Sequence, residues 1–456
     1  MKKVGKFNAA VALGSLTAAV ALIAGAPAAS AQTAPGSDTS SVAGQAAPGG
    51  GSFPGSFLVP GTNTSLKIGG IAKWDAIYDM SAGLSPQASQ VVIPFAIPLD
   101  GTAGHQVHGS LLNDVRQSNI NFDARTPTSY GELDVFALMD FFGQQTTQNV
   151  NLNGVDSWTQ RVVYFYGTLG PLMAGQTPSL WFDGDALAES VDPTPAIGIN
   201  NGLSNRHTTI RYTFAAGGGF SIAGAIEQPN PEGFAGTAQS GAPGTWQSLG
   251  LSGGWVRVPD FIARARLDQA WGHVAATFLI RDQKVLATGV RFSKTTYGGE
   301  LTGHLNTFGK DTLRWAGMVG TGLGSYLSDM SSAAGVQVNT LGTTAAPLTP
   351  TAVAAPLAYG IYAGYTHWWT TELRSTLMAG MSHNSLDSGV ITTAAEQNAL
   401  DKRHIGATGN IIWSPVPQVD LGLEYSWIQR ETWSSTATVQ NKGALQRLET
   451  MAVFKF

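Results

Sequence analysis

Residues 66–80 run Leu66-Lys67-Ile68-Gly69-Gly70-Ile71-Ala72-Lys73-Trp74-Asp75-Ala76-Ile77-Tyr78-Asp79-Met80, and their order decides the fold. One parity carries Leu66, Ile68, Ala72, Trp74, Ala76, Tyr78 and Met80; the other carries Lys67, Ile71, Lys73, Asp75, Ile77 and Asp79. Alternate side chains of an extended chain point to opposite sides, so this is a strand between an apolar and a polar medium. The rhythm recurs. Ile120, Phe122 and Ala124 oppose Asn119, Asn121, Asp123 and Arg125; Leu133, Val135, Ala137, Met139 and Phe141 oppose Glu132, Asp134 and Asp140. Phe261, Ala263, Ala265 and Leu267 oppose Arg264, Arg266 and Asp268, and Leu421, Leu423, Tyr425 and Trp427 oppose Asp420, Glu424 and Arg430.

A soluble sandwich also alternates. Three features choose a closed transmembrane barrel instead. Aromatics sit near strand ends on the apolar parity, and full charges recur on the polar parity, as a wet lumen allows. Connections also alternate in length. Pro127–Tyr130, Gly170–Pro171, Ala215–Gly218, Gln269–Trp271, Phe308–Asp311 and Ser414–Pro417 are short; 81–113, 143–157, 178–205, 228–256, 324–356, 383–402 and 431–443 are long. Short periplasmic turns and long extracellular loops produce that asymmetry. The count predicts sixteen antiparallel strands with both termini periplasmic. Residues 272–307 admit two strands or three; two keeps the long 324–356 segment on the outer side.

Composition agrees. The 456 residues are 12% charged, about half the usual ~25% of soluble domains, and include 56 Gly and 12 Trp. With no Cys, disulfide modules, zinc fingers and cysteine nucleophiles are excluded. A net charge of -4 argues against nucleic acid as a partner. After residue 31 no window supplies the about 18 apolar residues of a spanning helix.

The chain opens with Lys2, Lys3 and Lys6, an apolar stretch from Ala9 to Ala26, and Ala29-Ser30-Ala31. This is a secretory signal over residues 1–31, with cleavage expected between Ala31 and Gln32. Residues 32–62, rich in Pro, Gly, Ser, Thr and Ala, read as a flexible periplasmic lead. One domain, 63–456, follows. Its last strand puts Leu448, Thr450, Ala452, Phe454 and Phe456 on one face; the terminal Phe456 is similar to the signal read by the bacterial barrel-insertion machinery.

Several stretches resemble one family. They are Phe57-Leu58-Val59-Pro60-Gly61-Thr62-Asn63-Thr64-Ser65-Leu66-Lys67-Ile68-Gly69-Gly70, Arg116-Gln117-Ser118-Asn119 with Arg125-Thr126-Pro127-Thr128, and Tyr166-Gly167-Thr168-Leu169-Gly170-Pro171-Leu172. The last continues through Ala174-Gly175-Gln176-Thr177 to Ser179-Leu180-Trp181. These are similar to the DcaP-like trimeric porins of Gram-negative outer membranes. The resemblance lies mostly in the first half of the chain. It implies a homotrimer embedded among outer-membrane lipids and lipopolysaccharide, a loop folded inward after the fifth strand, and passage of small anionic solutes such as dicarboxylates. Family members often carry an N-terminal coiled coil; residues 32–62 have no heptads.

The inward loop is expected at 178–205, bearing Asp183, Asp185, Glu189 and Asp192. Facing it, on the polar parity, are expected Arg125, Arg161, Arg211, Arg264, Arg266, Arg314 and Arg374, with Lys67 and Lys73. An acidic loop opposite a basic wall sets a field across a narrow wet gap, and a guanidinium fork can grip a carboxylate bidentately. The same arginines could instead pair with lumenal carboxylates and stiffen the barrel. No cofactor is expected. Gly303–Lys310 has the wrong spacing for a phosphate loop, Gly320-x-Gly322-x-Gly324 has no following helix, and His105 and His108 lack a third metal ligand. A closed barrel acting as adhesin or receptor, or a lipid-active enzyme, is the competing reading; no nucleophile motif supports an enzyme.

Overall fold

The computed structural model describes residues 50–82, 91–143, 159–193, 198, 206–229, 233–235, 257–287, 290–339 and 352–456. The expected secretory signal and most of the expected lead lie outside the described residues. Sixteen strands form one closed antiparallel sheet. They are β1 (Ser65–Ser81), β2 in two pieces (Ser110–Asp114 and Asn119–Thr128), β3 (Gly131–Asp140), β4 (Arg161–Leu169) and β5 (Leu172–Pro178). Then come β6 (Arg206–Gly217), β7 (Phe220–Glu227), β8 (Asp260–Gln269), β9 (Gly272–Ala287), β10 (Val290–Asn306) and β11 (Thr312–Thr321). The circuit ends with β12 (Leu357–Trp368), β13 (Leu373–Asn384), β14 (Asp401–Val416), β15 (Val419–Thr432) and β16 (Lys442–Lys455).

Each strand pairs with its sequence neighbours, and β1 pairs with β16 from Ile71↔Lys455 to Asp79↔Arg447. Closure removes the free edges that lipid could not satisfy. The stretch 272–307 contains two strands, β9 and β10, paired from Gly272↔Leu305 to Ala287↔Val290. Among the described residues no helix is long and apolar enough to cross a membrane. One short helix, Ala394–Ala399, sits in the loop before β14. It is capped reciprocally by Thr393 and Glu396, a box legible in the sequence as Thr-x-x-Glu.

The predicted faces are the observed ones. Trp74, Tyr78, Phe165, Tyr212, Phe278, Tyr297 and Leu377 are exposed on the outer wall. Tyr130, Trp271, Phe308, Trp369 and Phe456 lie exposed at or beside the short-turn end, where an interfacial aromatic belt belongs. Inside, Lys73, Asp75, Asp79, Arg264, Arg266, Glu424 and Arg447 are buried. Before β1, Gly50 bridges to Phe57, and Phe57 and Leu58 pair with Leu66 and Ser65, holding the end of the lead against the barrel.

The apolar core lies within the lumen. Leu180, Trp181 and Ala188 from the loop after β5 pack with Leu323, Tyr326, Leu327 and Met330 from the loop after β11, against inward Ile262, Leu279, Met318 and Tyr362. Inward glycines make room for them. Gly298 and Gly320 are paired neighbours on β10 and β11. A Cβ on Gly298 would lie 2.7 Å from Leu323 Cδ2 and 3.0 Å from Trp181 Cη2. Glycine within a strand thus marks a close approach by another segment.

Candidate functional site

The loop after β5 crosses the barrel interior, and its course can be read from its anchors. The Leu180 N–H donates to Glu227 Oε1 on β7 at 2.7 Å. The Trp181 ring is fully buried, and its indole N–H donates to the Tyr326 carbonyl at 3.0 Å. The Ala188 N–H donates to the Tyr362 hydroxyl on β12 at 2.8 Å. On β15, the Glu424 carboxylate accepts from Ser190 Oγ at 2.6 Å, from Val191 N–H at 2.9 Å and from Asp192 N–H at 3.2 Å. Lys73 on β1 donates to the Val191 carbonyl at 2.7 Å. Anchored from β7 round to β1, residues 180–192 divide the lumen.

The four loop carboxylates fall into two pairs. Asp183 and Asp192 are sequestered, with side chains 2% and 1% exposed. Asp183 accepts from Thr302 Oγ1 at 2.5 Å, lies 2.8 Å from His273 Nε2, and meets Arg266 Nη1 at 3.3 Å. Asp192 accepts from the Val92 N–H at 3.1 Å and meets Arg447 at 3.3 Å. Asp185 and Glu189 keep 49% and 35% exposure and face water. Both are already engaged, Asp185 with Arg266 at 2.6 Å and Glu189 with Arg374. Burial alone would raise the Asp183 carboxyl, but the His273 hydrogen bond and the charges of Arg264 and Arg266 hold it below the usual carboxylate range.

The cations divide as well. Arg125 pairs with Asp123 at 2.8 Å and stacks 4.2 Å over the Phe53 ring. Arg161 grips Asp140 through two bonds of 2.9 and 2.7 Å. Lys73 meets Asp75 at 3.2 Å and Gln117 at 2.7 Å. Arg266 also binds Asp268 on its own strand, and Arg374 reaches Ser414 at 2.7 Å. The remaining four have no ion pair among the described residues. Arg211 donates from Nη2 to the Pro178 carbonyl at 3.0 Å, while its buried Nε has no partner. Arg264 donates from Nε to Thr277 Oγ1 at 3.1 Å, and its Nη2 has none. Arg314 reaches the Asp185 carbonyl at 3.2 Å. Lys67 lies opposite Asp123 in the strand register.

Sequence reasoning found the charged loop residues but not the groups that receive them: Glu227, His273, Tyr362, Glu424 and Arg447. Each faces the lumen by parity. Nothing local in the chain says which of them the loop meets.

A sixteen-stranded barrel with lipid-facing apolar residues, a charged interior and an internal loop defines an outer-membrane diffusion channel. The sequence profile of the porin subfamily matches residues 54–453, and the chain belongs to that family. Its fold is similar to that of the DcaP outer-membrane channel of Acinetobacter baumannii. The likeness covers 88% of this chain and 99% of that one, with 19% identity and a TM-score of 0.67. The outer-membrane-expressed OmpT of Vibrio cholerae is similar over 88% of this chain and 100% of its own, at 9% identity and a TM-score of 0.50. At such identities the likeness is one of fold. No curated relative matches the chain in sequence.

Proposed function

We propose that this outer-membrane channel passes small hydrophilic solutes with a preference for anions, dicarboxylates among them, and performs no enzymatic step. The observation that carries the reading is the contrast between the loop carboxylates and four of the wall cations. The loop carboxylates are each occupied by a cation or by hydrogen-bond donors, whereas Arg211, Arg264, Arg314 and Lys67 have no ion pair among the described residues. The charges of Arg211 and Arg264, neither in an ion pair among the described residues, favour an anion in the adjoining lumen. A positive field in a narrow aqueous gap raises anion concentration and lowers its barrier to entry.

Secretion with cleavage after Ala31 rests on the pattern of residues 1–31, assembly through Phe456 on the pattern of the last strand, and a homotrimer among outer-membrane lipids and lipopolysaccharide on the family resemblance. Reversal potentials of the purified protein in a planar bilayer under a salt gradient test the selectivity. The wild type should favour chloride over potassium, and the Arg211→Gln, Arg264→Gln double variant should lose most of that preference. Equal selectivity in both proteins would refute the role given to this wall.

A further inference from the structure

A buried proton chain joins the constriction loop to the pore wall. Asp183 Oδ2 lies 2.8 Å from His273 Nε2, and His273 Nδ1 lies 2.6 Å from His304 Nδ1, with the two rings edge to face. His273 is fully buried on β9; His304 is half-buried on the inward parity of β10, near the short-turn end. One arrangement of protons satisfies both contacts. An ionised Asp183 requires His273 Nε2 to be the donor. A neutral His273 then presents a lone pair at Nδ1, so the short contact between rings requires His304 to donate from its own Nδ1. His304 Nε2 is left as a basic lone pair on a half-buried residue.

We propose that His304 is a proton-responsive selectivity residue, whose protonation at Nε2 adds a positive charge to the lumen wall while the constriction loop stays latched. The added proton goes to the outer nitrogen, so the inter-ring hydrogen bond and the His273–Asp183 contact both persist. The groups facing the pair are Asp183 and Asp185 from the loop, Arg266 and Asp268 from β8, Glu300 on β10 and Arg314 on β11. Burial, His273 and the two arginines oppose the added charge, and the carboxylates stabilise it. An imidazole changes charge between about pH 5 and 8, within the range an outer-membrane channel meets on both sides. The inference rests on the aqueous channel but not on its resting preference, because it concerns the change with pH.

The test is the reversal potential measured from about pH 8 to about pH 5 for wild type, His304→Gln and His304→Lys. One unit charge a few ångströms from the ion path should raise the wild-type anion-to-cation permeability ratio by about two- to fivefold on acidification. Glutamine keeps an N–H for His273 but cannot titrate, so H304Q should hold a constant ratio. Lysine is a fixed cation, so H304K should show the acid wild-type ratio throughout. A wild-type ratio independent of pH overturns the proposal, as does an H304Q or H304K channel that titrates like the wild type. A channel that is cation-biased at every pH, yet moves toward anions only when His304 is present, would refute the resting anion preference and leave this inference standing.

Discussion

At the scale of single residues, Trp181 is the apolar pin of the constriction loop. Its ring is fully buried in a lumenal seat opened by Gly298 and bounded by Leu323 and Tyr326. Trp181→Ala removes that contact and should weaken loop docking by about 3–5 kcal/mol, with the barrel wall intact. The expected outcome is noisier open-channel current and protease cleavage within residues 179–193 of otherwise folded protein. Gly298→Val should give the same phenotype from the wall side, because its Cβ would already crowd Leu323. Full stability of the loop in either variant would show that its polar anchors suffice. The sequence marks Trp181 only as an aromatic in a long loop. Its burial requires inward glycines more than a hundred residues away, and parity places those on the lumen side without saying which of them meets Trp181.

At the scale of the element, the loop is held by converging hydrogen bonds rather than by regular structure of its own. Glu424 collects two backbone N–H groups and a hydroxyl. Glu424→Gln should therefore loosen residues 190–192 by about 1–3 kcal/mol, because an amide cannot accept from all of them. Hydrogen exchange at the amides of Val191 and Asp192 would register the loss, and unchanged protection would exclude Glu424 as an anchor. The Asp183 end responds to acid in a definite direction. Its folded carboxyl is held below the usual range, so its anchoring is complete above about pH 4 and is lost only as pH falls through the lower folded value. Current noise should stay flat from neutral pH down to about pH 4, whereas Asp183→Asn should raise it already at neutral pH. The acids at 183, 185, 189 and 192 were legible as a group, since charge is a property of the chain. That two of them serve as buried anchors and two face water was not, because exposure depends on which strand lies across the lumen.

At the scale of the whole molecule, the barrel is closed by its two ends. Phe456 N–H donates to the Gly70 carbonyl at 3.1 Å, and Gly70 N–H donates to the Phe456 carbonyl at 3.2 Å. The Phe456 ring lies over Gly70, where a Cβ would come within 2.7 Å of it. Deleting Phe456, or replacing Gly70 by Val, should reduce the yield of heat-modifiable folded barrel in outer-membrane fractions; wild-type yield from both would detach the terminal residue from closure. Sidedness, strand number and the order of short turns and long loops were all decided by the sequence. They follow from local rules: a two-residue period, turn residues, and a chain that must satisfy every backbone group inside lipid. The path of the loop through the lumen, the histidine chain beneath it and the choice of which cations keep a carboxylate were decided only by tertiary structure. Those depend on distances across a closed cylinder, and alternation specifies which side a residue faces without specifying what stands opposite.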